Sequence, residues 1–246
     1  MEPEIRTITV RIETPDGTLP PARVAIPDVP LGLADAAPPL YELCNGVVAL
    51  AAQKASRAGE RTSCASGCGM CCRQLVPVSI PEAFFIWREA LLAEGESAAA
   101  FNRQFASAQD SLVNNGLWKV LESIGEETNQ AQIAARYWDQ AILCPFLVNE
   151  SCAIHAIRPC ACREYNVLSD PASCSRPLSA NVKRLVIHRR MTTALARTAA
   201  CLLSQPPTLI PLVMIPSWCE SHRSLDDLHW DGMEFFDLML SFALKG

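Results

Sequence analysis

The sequence predicts a mainly α-helical protein, a helical bundle with cysteine-rich loops and a small β-hairpin at the N-terminus. Apolar residues recur at three- and four-residue spacing through most of the chain after residue 40, which is the period of a helix with one buried face. Residues 5–12 instead alternate between β-branched and polar side chains, as a half-buried strand does. The 12 cysteines among 246 residues exceed what packing needs, but they are too few for a small disulfide scaffold.

The N-terminal extension, residues 1–40, holds eight of the 18 prolines. Pro15-Asp16-Gly17 has turn chemistry, and residues 22–26 can return as a second strand beside residues 5–12. A two-stranded hairpin is marginally stable alone, so we expect this one to lie against the rest of the protein.

Helices are predicted along the rest of the chain. The first, residues 41–58, ends at Gly59, a residue typical of the position after a helix. Ser79 and Glu82 have the spacing of a capping box and predict a helix from there to about residue 94. The remaining predicted helices are 97–124, 126–142, 182–203 and 228–244. Asn114-Asn115-Gly116 can interrupt the first of these four.

Residues 143–180 lack helical periodicity and are dense in cysteine, proline and serine, which predicts loops held in place from outside. We therefore divide the chain into the extension 1–40, a cysteine-cluster domain 41–180, and a C-terminal helical segment 181–246 packed on it.

The N-terminus is acidic and lacks the basic and apolar regions of a secretory signal, and no apolar run is long enough to span a bilayer. These features predict a cytoplasmic protein with no membrane partner. The net charge of −5 makes general electrostatic binding of nucleic acid unlikely. Because cytosolic thiols stay reduced, clustered cysteines in such a chain favour a metal site over disulfides.

The cysteines form two groups on either side of the predicted helices 79–94, 97–124 and 126–142. The first group lies within residues 64–72, where Cys68-x-x-Cys71 has the knuckle spacing that brings two thiolates to one metal ion. The second group lies within residues 144–174. Adjacent Cys71 and Cys72 diverge, so they reach two metals, or different irons of one cluster, or one of them is a spare.

The order Cys-x-x-x-Cys-Gly-x-Cys-Cys, Cys-Pro-Phe-Leu, Cys-x-Ile-His, Arg-Pro-x-x-Cys-Arg and a final cysteine resembles the YkgJ-type cysteine-cluster family, proteins described as zinc- or iron-chelating. The resemblance implies a metal site, and it implies no particular reaction. Three residues separate Cys64 from Cys68 here, where the family usually has two. A weaker similarity links the cysteine region to flagellin lysine methylases, which are iron–sulfur proteins. The metal ligands that the family resemblance implies are Cys64, Cys68, Cys71, Cys72, Cys144, Cys152, Cys162 and Cys174.

Thiolate ligands select zinc or iron over magnesium or calcium, which prefer oxygen. Eight cysteines fit two four-cysteine zinc sites, or one 4Fe–4S cluster with four thiols serving elsewhere. Arg158 and Arg163, and also Arg73, lie close in sequence to these ligands and can offset their negative charge. We expect a chelating or structural metal protein; the alternatives are an iron–sulfur-dependent modifying enzyme similar to a protein methylase, or a redox or metal carrier.

The remaining candidates have more ordinary interpretations. His155 lies three residues after Cys152, which is the spacing of a Cys-x-x-His ligand pair. A histidine at such a position more often hydrogen-bonds to a metal ligand than binds the metal itself. Cys160 is an extra thiol two residues from Cys162. We expect Cys44 and Cys201 to be packed like small apolar residues, and Cys219 to stand outside the site although Cys219-x-x-His222 has the spacing of a ligand pair. The basic residues of 183–190 should lie on the solvated face of a helix.

Overall fold

The computed structural model describes residues 5–124, 129–175 and 182–245. The protein is 57% helix and 12% strand, which confirms the mainly α prediction. The helices are α1 (Ala37–Arg57), α2 (Ile80–Ile86), α3 (Glu96–Asn114), α4 (Trp118–Glu122), α5 (Gln130–Asp139), α6 (Cys160–Glu164), α7 (Met191–Leu203), α8 (Ile215–Ser221), α9 (Arg223–Asp226) and α10 (Gly232–Lys245). The strands are β1 (Ile5–Val10), β2 (Glu13–Thr14), β3 (Gly17–Thr18), β4 (Ala22–Pro27), β5 (Leu31–Gly32), β6 (Pro77–Ser79), β7 (Leu147–Val148), β8 (Ser151–Cys152), β9 (Leu209–Pro211) and β10 (His229–Trp230).

The predicted N-terminal hairpin is present. Strand β1 pairs antiparallel with β4, and the inner strands β2 and β3 continue the ladder to a turn at Gly17. Gly17 has φ +133°, a conformation that residues with a side chain rarely adopt. The hairpin buries Val10, Ile12 and Ile26 against the helices, as a short two-stranded sheet requires.

Two apolar clusters form the interior. The α1 core combines side chains of the hairpin, α1, α7 and α10, and it includes Ile12, Leu40 and Phe235. The α2 core combines α2 to α5 with the segment 210–219, and it includes Phe84 and Phe146. Phe85, Ile157, Leu202 and Trp230 pack against both cores, so the two clusters are joined.

Helix α2 begins as its sequence predicts. Ser79 is the N-cap: its backbone N–H donates to Glu82 Oε2 at 3.0 Å, and its hydroxyl accepts the N–H of Glu82 at 3.5 Å. The helix then widens into a π-helical turn, Trp87–Leu91, and ends before the predicted residue 94. The predicted break after α3 also occurs, because Gly116 adopts φ +71° between α3 and α4.

The predictions for the C-terminal half need correction. Helix α7 begins at Met191 and not at residue 182, because the Glu164 carboxylate accepts the backbone N–H groups of Met191 and Thr192 and fixes the start there. Residues 182–190 run as an extended segment beside Val167, so the basic residues lie on no helix. Residues 143–175 are also more regular than expected, since they contain α6 and the β7–β8 hairpin.

Parts of two predicted elements, residues 125–128 and 176–181, lie outside the described residues. Within the described ranges, no helix combines the length and the apolar character needed to cross a bilayer.

We predict that Glu82→Ala lowers the free energy of unfolding by about 3 kcal/mol, because it leaves buried backbone N–H groups of Ser79 and Cys160 without an acceptor. Ser79→Ala removes only the cap and should cost about 1 kcal/mol. Urea unfolding of both variants measures the difference. Equal losses would mean that the Glu82 carboxylate contributes only to the local capping box.

Candidate metal centre

All 12 cysteines are free thiols in this structure. Among the eight predicted ligands, Cys174 is buried and Cys64 is exposed. The other six are half-buried: Cys68, Cys71, Cys72, Cys144, Cys152 and Cys162. They come from two segments, 64–72 and 144–174, that are far apart in sequence, so the fold determines whether the two groups meet.

The first cysteine segment is a series of tight turns. Gly67 has φ +83° beside Cys68, and the Cys68 N–H donates to the carbonyl of Ala65 at 3.2 Å. A single 3-10 turn, Met70–Arg73, contains the adjacent cysteines Cys71 and Cys72. The Cys72 N–H closes onto the carbonyl of Gly69 at 3.0 Å. These turns present several thiols within a short length of chain.

The β7–β8 hairpin docks directly on this segment. The N–H of Cys144 donates to the carbonyl of Cys72 at 2.7 Å. Arg73 forms a two-pronged ion pair with Glu150 at the hairpin turn, with N–O distances of 2.8 and 3.1 Å. A Cβ atom on Gly69 would lie 2.6 Å from Glu150 Oε2 and 2.8 Å from Leu147 Cδ1. The approach is therefore so close that only glycine fits without a shift of its neighbours.

Two further contacts join the first cysteine segment to residues 167–175, one through Cys64 and one through the turn that contains Cys174. The N–H of Val167 donates to the sulfur of Cys64 at 3.4 Å, and the Ser63 N–H donates to the Val167 carbonyl at 2.9 Å. Cys174 lies in the 3-10 turn Pro171–Ser175, which contacts the Met70–Arg73 turn. The first segment thus contacts residues 167–175 as well as the β7–β8 hairpin.

The thiol of Cys71 influences the ionisation of several other cysteines. Its sulfur interacts electrostatically with those of Cys64, Cys72, Cys144, Cys152, Cys162 and Cys174. Burial raises the pKa of Cys144 to about 12 and also raises the pKa values of Cys152 and Cys162, and repulsion between neighbouring sulfurs adds to the effect. The Cys72 thiol donates a hydrogen bond to Cys71 and so lowers the pKa of Cys71, while the pKa of Cys72 rises.

Backbone N–H groups point at three of the sulfurs. Val167 donates to Cys64, Phe146 to Cys144 and Ile154 to Cys152. Each of these bonds opposes the rise in pKa of its thiol, because it stabilises the thiolate. In Cys144-Pro145-Phe146 and Cys152-Ala153-Ile154 the donor lies two residues after the cysteine, so the local chain geometry supplies it.

Arg158 is the cation shared by the cluster. Its positive charge acts to lower the pKa values of Cys64, Cys71, Cys152 and Cys162. Its Nε is buried and has no hydrogen-bond partner, so it is a donor available to an anionic group beside it. Arg73 also lowers the pKa of Cys71.

Arg163 supports the site from a different place. Its guanidinium donates to the carbonyls of Arg158 and Ala156 and to Oδ1 of Asn45, and it stacks over the Tyr41 ring at 4.3 Å. It therefore fixes the backbone that carries Arg158. Its charge also opposes the rise in the pKa of Cys152.

The gathered thiols do not form a closed coordination sphere. Across residues 5–124, 129–175 and 182–245, no three cysteine, histidine or acidic side chains have the arrangement that holds a metal ion. The donor set nevertheless suits a soft metal, since it offers several thiols, backbone N–H groups directed at sulfur, and an unpartnered buried guanidinium Nε.

The other thiols and His155 lie apart from this cluster. Cys160 is fully buried; its thiol contacts that of Cys44, and its N–H donates to Glu82 Oε1 at 2.6 Å. Cys44 is buried as predicted, and Cys219 is buried as well. The prediction for Cys201 is wrong, because its side chain is exposed in the last turn of α7. His155 is exposed, and the charge of Arg158 lowers its pKa.

Sequence reasoning did not find two buried carboxylates that position the site. Glu82 was predicted only as a local cap, yet it also holds the first N–H of α6. Glu164 accepts from Met191, Thr192 and the Thr192 hydroxyl. The capping-box spacing was a signal for Glu82, whereas no local pattern marks Glu164.

We predict that Gly69→Ala lowers the free energy of unfolding by about 1 kcal/mol, because the added methyl group displaces the ends of the Leu147 and Glu150 side chains. Gly32→Ala is the matched control, since a Cβ there would meet its nearest neighbour at an ordinary 3.6 Å. Its effect should stay within about 0.5 kcal/mol. Thermal unfolding of both variants provides the comparison, and equal stability would show that the hairpin does not need the close approach.

Comparison of the chain with protein-family models, curated proteins and solved structures found no match. The resemblance to the YkgJ-type family therefore stays a prediction that rests on the cysteine motifs. The proposed function is therefore argued from the contacts that join the two cysteine segments.

Proposed function

We propose that this chain is a metal-binding protein whose cysteine cluster holds zinc or iron through thiolates, with iron bound as an ion or within an iron–sulfur cluster. One observation carries the proposal: backbone contacts bring the cysteine segment 64–72 against residues 144–174, and the thiols of both segments are free. The ligands would be Cys64, Cys68, Cys71, Cys72, Cys144, Cys152, Cys162 and Cys174.

The electrostatics of the cluster support a bound cation. Thiolates at this density repel one another and lose hydration, so without a cation they take up protons. A metal ion reverses this balance, because it binds the thiolate and releases the proton. Arg158 and Arg73 supply positive charge at the rim of the cluster, which a four-thiolate centre needs because it carries excess negative charge.

The donor set limits the choice of metal. Thiolates are soft ligands that suit zinc, iron and iron–sulfur clusters, whereas magnesium and calcium require oxygen ligands. The bound metal would supply cross-links between loops, and an iron–sulfur cluster would also supply electron transfer. The cysteines bind the metal, the backbone N–H groups orient their sulfurs, and Arg158 offsets the charge.

A chelating or structural role fits the local structure best. The cysteine stretches contain only two-residue strands, short 3-10 turns and the five-residue α6. Phe146 and Ile154 anchor these segments in the α2 core, and metal bound between the thiols would contribute further to their folding. One observation favours a second candidate, a redox or metal carrier: Cys64 is exposed, as a thiolate that exchanges metal should be.

Metal analysis of the purified full-length chain tests the proposal. We expect stoichiometric zinc or iron after purification with and without oxygen; a colourless protein identifies zinc, and a brown protein with acid-labile sulfide identifies an iron–sulfur cluster. Protein free of both metals under both conditions, and unable to bind either on addition, would contradict the proposal.

A pair of variants locates the ligands within α6. Cys162→Ser should lose at least half of the bound metal, because its sulfur interacts with those of Cys144 and Cys152. Cys160→Ser should retain the metal, because that thiol is buried beside Cys44. The opposite result would move the ligand role from Cys162 to Cys160.

A further inference from the structure

We infer that the edge of strand β1 is an interface between two copies of this chain. In the proposed dimer, β1 of one copy pairs antiparallel with β1 of the other. The two N-terminal hairpins then form one four-stranded sheet, in the order β4, β1, β1, β4. The inference is independent of the proposed metal site, because β1 contains no cysteine and belongs to the hairpin that precedes α1.

Strand β1 lies at the edge of its sheet. It pairs with β4 along its whole length, from Ile5 to Val10, and among the described residues no strand pairs with its other side. The unpaired side of a strand presents a row of backbone N–H and C=O groups to which a further strand can bind. A sheet of only two strands is also marginal, and additional strands stabilise it.

The exposure of its side chains shows that β1 leaves the protein interior towards its N-terminal end. Val10 is buried in the α1 core and Ile8 is half-buried, whereas Ile5 is 62% exposed. Thr7 and Thr9, on the other face, are exposed. Proteins commonly protect such an edge with lysine, with proline or by keeping the strand very short. β1 has six residues and contains neither lysine nor proline.

The side chains of β1 fit a second copy of the same strand. Residues that lie opposite each other in an antiparallel pair share one face of the sheet, so a symmetric dimer can pair Ile8 with Ile8. This register places Thr7 opposite Thr9 of the second copy, once on each side of the two-fold axis. Pairs of β-branched residues and pairs of threonines both stabilise neighbouring strands.

The charges of the strand permit the same register. Arg6 lies opposite Val10 of the second copy, and Arg11 lies opposite Ile5, so no two like charges face each other directly. Arg6 already has an anionic partner in its own chain, Asp28, at 3.5 Å. The pairing therefore covers the exposed Ile5 and adds no direct repulsion.

The size of the contact sets its strength. A strand of six residues spans about 20 Å, so this edge alone buries less than the roughly 1,200–2,000 Å² of a standard protein interface. We therefore expect a weak dimer whose population depends on protein concentration.

Sedimentation analysis of the full-length chain under reducing conditions, across roughly a hundredfold range of concentration, tests the inference. The average mass should rise from that of one chain towards that of two. Hydrogen exchange of the wild type at residues 5–10 should slow over the same range, because pairing protects the N–H groups of β1. The mass of a single chain at every concentration would overturn the inference.

Two double variants test the register. Thr7→Glu/Thr9→Glu places like charges opposite each other at both symmetric positions and should weaken the dimer by about tenfold. Thr7→Lys/Thr9→Glu places opposite charges there and should dimerise at least as strongly as the wild type. Both variants change only exposed side chains, and both set Glu opposite Arg23 of the same hairpin, so they are matched in their effect on folding. Equal dimerisation of the two variants would place the interface elsewhere and overturn the inference.

Discussion

The backbone hydrogen bond from the Cys144 N–H to the Cys72 carbonyl, where the β7–β8 hairpin docks on the first cysteine segment, is the contact that joins the two groups of cysteines. A Cβ atom at residue 69 would overlap the ends of the Leu147 and Glu150 side chains, which would have to turn aside, whereas the Glu150 backbone lies 3.3 Å away. At the present distance, the Cys72 carbonyl accepts the Cys144 N–H, and Arg73 reaches Glu150. The exposed ion pair contributes little by itself, since such pairs are worth about 0.2–1 kcal/mol. The steric fit and the buried backbone hydrogen bond set the geometry.

Two buried carboxylates connect the cluster to the rest of the fold. Glu82 accepts the first N–H of α6, and Glu164 at the last residue of α6 accepts the first N–H groups of α7. Helix α6, which carries Cys162, is therefore held at both ends although it is only five residues long. Burial raises the pKa of both carboxyl groups, and their hydrogen bonds oppose that rise. The placement of Cys162 thus depends on residues of α2 and α7.

Local patterns in the sequence predicted local structure well. The capping box of α2, the interruption at Gly116 and the N-terminal hairpin all depend on neighbours within a few residues, and the structure confirms them. The start of α7 was wrong because it depends on Glu164, a residue 27 positions before Met191 whose role no local pattern reveals. The burial of Cys201 was also predicted wrongly, since an apolar helical stretch does not show which of its residues stays exposed to solvent. For the site, the motifs predicted which cysteines are candidate ligands. Which of them lie near one another, and where Arg158 lies among them, depends on contacts between residues far apart in sequence.

On the proposed function, a bound metal would hold the cysteine segments together, whereas α1, α3 and α7 are stabilised by the two apolar cores. Hydrogen–deuterium exchange of the full chain, zinc-loaded and after chelation under reducing conditions, distinguishes the two contributions. Chelation should speed exchange at residues 64–72 and 144–175 and leave the buried faces of α1, α3 and α7 protected. Unchanged protection of the cysteine segments after chelation, or equal loss of protection throughout the protein, would contradict it.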